Sequence, residues 1–287
     1  MPLVSIGPEL KRAQVEHFAI PLFDAFDSTS IDGIFAAMEE KHAPAIVALY
    51  TGVLDHPNAH SLAEYIRTRA KESPMPATLM LDHGGSFEHA IKALTWGFTD
   101  VMYDGSKLPF DENIANTQAV VRAAHAVGVC VEAELGHVGS GSEYASFGGQ
   151  RKGFTDPNLV EKFVAETGVD SLAVAIGNAH GLYQGEPHLD IDLLNEIRRR
   201  VDIPLVLHGG SGISEAQFRA AIKAGIAKIN IATDLYMTTT SRLVDRVHAD
   251  GEKPEGIAYW ALSTTAVESF RERCGYYLEL FGAAGKA

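Results

Sequence analysis

Cysteine is scarce: Cys130 and Cys274 are the only two in 287 residues, and they lie far apart. They cannot form a disulfide framework with any redundancy, and the chain suits a reducing compartment. Positive charge is also short. Lys and Arg number 24 against 37 Asp and Glu, a formal net charge of −13. That balance excludes nucleic acid and anionic membrane surfaces as natural partners. It leaves an anionic small molecule open, because local amides and a metal override a global field. No apolar run approaches the ~20 residues of a spanning helix. Met1 to Gly7 has neither the charged nor the apolar region of a secretory leader. The expectation is a cytoplasmic protein.

What is present is a rhythm. Short runs rich in Val, Ile and Leu recur at Ala19–Phe23, Ala45–Tyr50, Ala77–Leu81, Asp100–Tyr103, Val129–Glu134, Ser171–Ile176, Pro204–Leu207 and Ala227–Ile231. Continuous apolar character suits strands buried on both faces, as in a parallel sheet. The segments between carry helical spacing, for example Ser30 to Lys41 with Ile31, Ile34, Phe35 and Met38, and Asp111 to Val127. Ser214 with Gln217 three residues later predicts a capping box. Gly128, Gly168 and Gly225 fall where helices should stop. Eight strand–helix units predict a (β/α)8 TIM barrel, an α/β fold, with an open doubly wound sheet as the alternative. One domain over 1–287 is expected, with a C-terminal helical extension from about 234. Gly136 to Phe154, "GHVGSGSEYASFGGQRKGF", breaks the rhythm. A polar, glycine-rich loop of that length predicts an active-site loop, against a plain mobile insertion.

Catalytic groups of such a barrel stand at the C-terminal ends of its strands. Strand 3 ends in Asp82-His83-Gly84-Gly85, strand 4 leads to Asp104, and strand 5 holds Glu132 and Glu134. Strand 6 runs to Asn178-Ala179-His180-Gly181, strand 7 to His208, and strand 8 to Asn230 and Thr233. His83, His180 and His208 each follow an apolar run and precede glycine. On one rim they make a three-imidazole metal site with an open position. Asp104 and Glu134 either hold a second metal, orient the ligands or merely complete the charge balance. Glu132 and Glu134, two apart, share a face of their strand. The other nine histidines read as solvated or structural. "HGGSG", residues 208–212, precedes a helix, and Asn230–Thr233 follow strand 8. Gly209, Gly210, Ser211, Asn230, Ala232 and Thr233 thus form a candidate phosphate cradle.

Together "LDHGG", "VEAELGHVG", "AIGNAHGLY", "LVLHGGSGI" and "KINIATDL" resemble the class II, zinc-dependent ketose-bisphosphate aldolases of the fructose- and tagatose-bisphosphate type. "LFGAAGKA" resembles the tail of the tagatose-type branch. The resemblance runs from about Leu79 to Thr233 and is weaker before it. It implies Zn2+ on His83, His180 and His208, with Asp104 and Glu134 at positions that hold a second metal. It implies Asp82 as acid/base on the C4 oxygen. Gly181, Gly209, Ser211, Asn230 and Thr233 would bind the phosphate of dihydroxyacetone phosphate. A monovalent cation, Na+ or K+, would sit on backbone carbonyls near Gly181 and Gly209. The family forms homodimers and homotetramers.

Three stretches depart from the family pattern. The mobile loop of the family reads Gly-Gly-x-Glu-Asp, with Glu as base. Here Gly139-Ser140-Gly141-Ser142-Glu143 puts Ser142 at that position and Glu143 one residue late, so Glu143 is the candidate base. Strand 1 ends Phe23-Asp24 where the family has Asn, making Asp24 a candidate substrate-binding residue. Strand 2 ends Tyr50-Thr51-Gly52, where a small residue is usual. Asp24 would repel a second phosphate, and Arg151 and Lys152 are the candidates to hold one. The expectation is an aldehyde-lyase that cleaves a ketose 1-phosphate or 1,6-bisphosphate, with a non-standard aldehyde half. A metal-dependent sugar-phosphate epimerase or isomerase, and a non-catalytic aldolase-like subunit, are the alternatives.

Overall fold

The computed structural model describes residues 3–141, 153–249 and 257–287. Eight parallel strands close into a barrel in chain order: β1 (Ile20–Asp24), β2 (Ala45–Tyr50), β3 (Ala77–Gly84), β4 (Asp100–Tyr103), β5 (Cys130–Leu135), β6 (Ser171–Val174), β7 (Leu205–Leu207) and β8 (Ile226–Ile231). β8 pairs back onto β1 from Ile20–Lys228 to Phe23–Ile231. This is the (β/α)8 barrel, and the open sheet is ruled out. Five of the eight strands are buried along their whole length. Their outer faces lie under helices and their inner faces fill the barrel. Each therefore reads as an apolar run with few interruptions.

The helices between strands follow from local chemistry. Helix α2 (Ser28–Lys41) starts at Asp27, whose side chain accepts from Ser30 N at 2.8 Å, while Ser30 Oγ accepts from Asp27 N at 3.0 Å. That reciprocal pair satisfies two otherwise orphaned donors. The capping box expected at Ser214 does not form. Helix α9 (Glu215–Lys223) has no side-chain cap. Gln217 is drawn away instead: Leu189 N donates to its Oε1 at 2.7 Å, and its Nε2 donates to Pro187 O at 2.7 Å. It ties down the loop after β6 rather than closing its own helix.

The other helices, in chain order, are α1 (Gly7–Glu16), α3 (Thr51–Leu54), α4 (Ala59–Glu72), α5 (Phe87–Thr95), α6 (Phe110–His125), α7 (Pro157–Thr167), α8 (Ile191–Arg198), α10 (Thr233–Ala249) and α11 (Tyr259–Leu280). α7 stops at Gly168, which adopts φ +69° as its cap. α11 packs tightly on α2 through Gly33, where an added Cβ would run into Phe270 and lie 2.7 Å from Val267 O. The tail after α11 is fastened: Ala19 N donates to Phe281 O at 3.0 Å, and Ala287 N donates to His42 O at 3.1 Å. No helix among the described residues is long and apolar enough to cross a membrane.

β3 departs from a plain strand. Its pairing with β4 shifts register between Leu81 and Gly84. Inside that irregularity His83 takes φ +51°, the left-handed region that an L residue rarely adopts. Adjacent strand residues normally face opposite sides. Here Asp82 and His83 both reach the mouth of the barrel, and the bulge is what permits it.

Candidate active site

The strand ends surround a cavity of about 770 Å³, walled among others by Asp24, Tyr50, Asp82, His83, His180 and Asn230. His83 from β3, His180 after β6 and His208 after β7 turn their rings toward one another. Ring centroids of His83 lie 4.6 Å from those of both His180 and His208. One nitrogen of each falls within 4.8 Å of the others.

The opposite nitrogens are all engaged. His83 Nδ1 lies 3.0 Å from Asp104 Oδ2, His180 Nδ1 lies 3.2 Å from Val138 O, and His208 Nε2 lies 2.8 Å from Glu132 Oε1. Each partner is an acceptor only, so hydrogen-bond logic assigns the proton to the engaged nitrogen. The lone pairs fall to His83 Nε2, His180 Nε2 and His208 Nδ1. His180 Nε2 is buried with no hydrogen-bond partner, while His208 Nδ1 stands 2.9 Å from His83 Nε2. Three convergent lone pairs, each backed by an acceptor, fit a divalent cation bound by imidazoles.

Charge at the centre points the same way. Burial pulls His83 down, but the carboxylates of Asp82, Asp104 and Glu134 outweigh it and push its pKa up to about 10. Without a cation the second proton of His83 sits on Nε2 and faces His208 Nδ1 at 2.9 Å, and a bound cation would take its place. Burial, then the neighbouring rings of His83 and His208, hold His180 well below the usual imidazole value. Burial also lowers His208, against the pull of Glu132.

His83, Asp104 and Glu134 make a second cluster with ligand atoms within 4.8 Å. Val138 N donates to Glu134 Oε1 at 2.9 Å, while Oε2 is buried without a partner. Burial, then Asp104, push Glu134 up to about 8. Asp104, opposed by burial, is held below the usual carboxylate range by its bond to His83. This trio has the donors for a second cation, and Asp104 already orients His83.

Asp82 is buried beside the imidazoles, and Asn230 Nδ2 donates to its Oδ1 at 2.9 Å. Asp24 is also buried at the cavity wall, with Oδ1 unpartnered. Burial, then Asp82, raise its pKa well above the ordinary value. Gly181, Gly209, Ser211, Asn230, Ala232 and Thr233 line the same cavity. Thr233 opens helix α10, so a helix N-terminus faces the cradle. Ser211 Oγ accepts from Asp234 N at 3.0 Å, which leaves its hydroxyl proton free to donate. Gly210 differs from the rest. Its N–H is spent on Asn230 O at 3.1 Å, and it stands behind the wall. Tyr183 Oη donates to Gly209 O at 2.8 Å, beside the carbonyls expected to hold a monovalent cation.

The root of the long loop is pinned to a candidate ligand: His180 N donates to Gly139 O at 2.8 Å, and Gly141 N donates to His180 O at 2.6 Å. Ser142, Glu143, Arg151 and Lys152 lie outside the described residues. Sequence reasoning missed three things. His137, expected to be solvated or structural, lines the cavity, with Ser106 Oγ 3.2 Å from its Nδ1. Lys107 lines it too. Lys228 is fully buried against Glu132. Lys228 and Asn230 are two apart on β8, so the face that carries Asn230 inward also carries the lysine, and that alternation was the available signal.

The sequence model of the class-II fructose-bisphosphate aldolases matches residues 4–286. The chain belongs to that aldolase family. It is 37% identical over 273 residues to an uncharacterized protein of Escherichia coli, YdjI, covering 95% of each chain. It is 38% identical over 292 residues to a 6-phospho-5-dehydro-2-deoxy-D-gluconate aldolase of Bacillus licheniformis, covering 100% of this chain and 97% of the relative. The crystal structure of the YdjI aldolase superposes with a TM-score of 0.88 over 99% of both chains, at 34% identity. A putative fructose-1,6-bisphosphate aldolase from Coccidioides immitis gives a TM-score of 0.85 at 28% identity, over 97% of this chain and 96% of the other. The aldolase family thus extends across the N-terminal third, where the motif resemblance was weak.

Proposed function

We infer that the protein is a zinc-dependent aldolase that reversibly cleaves a ketose 1-phosphate to dihydroxyacetone phosphate and an aldehyde. The observation that carries this reading is the convergence of three imidazole lone pairs, each fixed from behind by Asp104, Val138 O or Glu132. Zinc bound to His83, His180 and His208 would supply a Lewis acid for the ketose carbonyl. A second cation belongs at Asp104 and Glu134, and Na+ or K+ at the carbonyls near Gly181 and Gly209.

The residues divide the remaining work. The glycine-rich turn, Ser211, Asn230, Ala232 and Thr233 hold the phosphate. Asp82 takes the C4 hydroxyl proton during cleavage and returns it during condensation. Asn230 fixes one oxygen of Asp82, which leaves the other for the substrate. Glu143 serves as the base at the carbon next to the carbonyl. No lysine Schiff base is required.

The aldehyde half carries no phosphate at the β1–β2 end. Asp24 presents a buried carboxylate there, and Lys107 is the only Lys or Arg on the cavity wall among the described residues. A substrate hydroxyl suits the unpartnered Asp24 Oδ1, whereas a second phosphate would need more cations than Lys107 alone supplies among the described residues of the wall. The Bacillus relative is named for a substrate with a single phosphate, so such a substrate class has a place among the relatives. The working form is a cytoplasmic homodimer or homotetramer.

Metal analysis and product analysis test this together. The purified protein should carry zinc and should condense dihydroxyacetone phosphate with unphosphorylated hydroxyaldehydes. Retention of zinc without condensation on a broad aldehyde panel would sink the aldolase assignment. Efficient cleavage of fructose or tagatose 1,6-bisphosphate would sink the altered aldehyde half.

A further inference from the structure

Lys228 has no exposed surface, although an unpaired ammonium inside a protein costs several kcal/mol. Its Nζ lies 3.0 Å from Glu132 Oε1 and 2.9 Å from Glu132 Oε2, across the barrel from β8 to β5. Glu132 is buried as well. Its Oε1 accepts from His208 Nε2 at 2.8 Å, and Ser171 Oγ donates to its Oε2 at 3.4 Å. Neither Lys228 nor Glu132 lines the cavity. The pair lies behind His208, away from any substrate, and a lysine bonded to both carboxylate oxygens has no free lone pair to attack a carbonyl.

We propose that Lys228 and Glu132 are positioning residues for His208, which clamp its Nε2–H from behind and turn the Nδ1 lone pair into the metal site. This rests on the metal reading given above. A carboxylate only accepts, so the proton of His208 lies on the nitrogen facing Glu132. The ring then has one orientation and one lone pair, and that lone pair points at His83 Nε2, 2.9 Å away. Lys228 grips both oxygens at once. Glu132 therefore cannot rotate to release the ring, and its negative charge is balanced without a cation from the cavity. A carboxylate behind a metal-bound histidine both orients it and strengthens it as a ligand, and losing such a partner typically weakens metal binding ~10–100-fold.

The geometry makes an unusual demand on Glu132→Gln. If the amide oxygen faces His208, the amide nitrogen meets the ammonium at the position where Oε2 stands. If the amide is turned over, its nitrogen faces both His208 Nε2 and Lys228. Either orientation sets an NH2 group against Lys228, and the second also forces the wrong tautomer on the ring. Lys228→Met removes that conflict and lets the amide oxygen face His208.

Zinc affinity, measured by competition with a chromophoric chelator, tests this. Glu132→Gln should bind zinc about 10–100-fold more weakly than wild type. Glu132→Gln/Lys228→Met should recover at least tenfold of any loss near the upper end of that range, and most of a smaller one. A Glu132→Gln affinity within about threefold of wild type overturns the proposal, as does a double variant no tighter than the single. Should Glu132→Gln fail to fold, long-range ¹H–¹⁵N spectra of zinc-loaded wild type decide. His208 protonated at Nε2 and bound through Nδ1 supports the proposal, and the reverse overturns it. Failure of wild type to take up stoichiometric zinc overturns the metal reading itself, whereas equal zinc binding in all variants overturns only the positioning role.

Discussion

His83 reaches Asp104 across the gap between β3 and β4, Nδ1 to Oδ2 at 3.0 Å, from a backbone with φ +51°. The left-handed turn aims the ring, and the carboxylate fixes its rotation. Asp104→Ala removes that fixation while leaving the three imidazoles in place. Zinc affinity should fall about 10–100-fold. Chelator competition is the check, and an unchanged affinity would strip Asp104 of its orienting role.

Asp82→Ala should keep zinc and lose turnover. Asp82 is assigned to the substrate oxygen, and positioned acid/base groups contribute ~10²–10⁴-fold. The expected result is a kcat lower by that factor with metal content unchanged. Loss of metal together with turnover would place Asp82 among the ligands instead.

Glu143→Ala and Ser142→Ala separate two readings of the loop. If Glu143 is the base, its removal should slow carbon–proton exchange of dihydroxyacetone phosphate by ~10²-fold or more. Ser142→Ala should leave that exchange near wild type. Exchange rates followed by NMR in deuterated water give the answer, and a Glu143→Ala protein that exchanges normally takes the base away from this residue.

Asp100, which does not line the cavity of the three imidazoles, predicts a pH effect on stability. It is buried at the start of β4, accepting from Ser5 Oγ at 3.0 Å and Ile6 N at 3.2 Å. Burial pushes its pKa up to about 8, against the opposing pull of the Ile6 N–H. The folded protein therefore keeps this proton up to about pH 8, whereas an unfolded Asp loses it near ~4. Between those values the folded state binds more protons, so stability falls as pH rises and levels off above 8. Asp100→Asn removes the dependence. Its Tm should improve relative to wild type between pH 5 and 8, with both proteins in one metal state. Parallel Tm curves would refute the assignment.

Gly33→Ala tests the seam between α2 and α11. The new methyl would meet Phe270 and the Val267 carbonyl, and overpacking of this kind costs ~1–3 kcal/mol. Calorimetry should show a lower Tm with turnover per folded molecule unchanged.

Much of this fold is legible in the residues because the barrel buries its strands on both faces. Asp100–Tyr103 and Ala45–Tyr50 are strands with the bounds their apolar runs suggest. β3 outlasts its run by three residues, because the bulge carries Asp82, His83 and Gly84 beyond Leu81 while they remain in the sheet. The three histidines were visible through their shared context of apolar run and following glycine. Lys228 was legible only through its two-residue spacing from Asn230, since a charge inside a strand otherwise reads as solvent-facing until the barrel closes around it. Ser214 and Gln217 form a good local signal that a more distant loop overrides, and sequence spacing carries no trace of that loop.

The bulge in β3 has a mechanical consequence. Asp82 and His83 share one peptide plane, so their Cα atoms are held ~3.8 Å apart by covalent geometry. Asp82 and a cation held by His83 would therefore move as one lever. A larger ion drawn into the three imidazoles would displace His83 and carry Asp82 with it, away from the oxygen it serves. Discrimination among metals would then appear in the proton-transfer step as much as in binding strength.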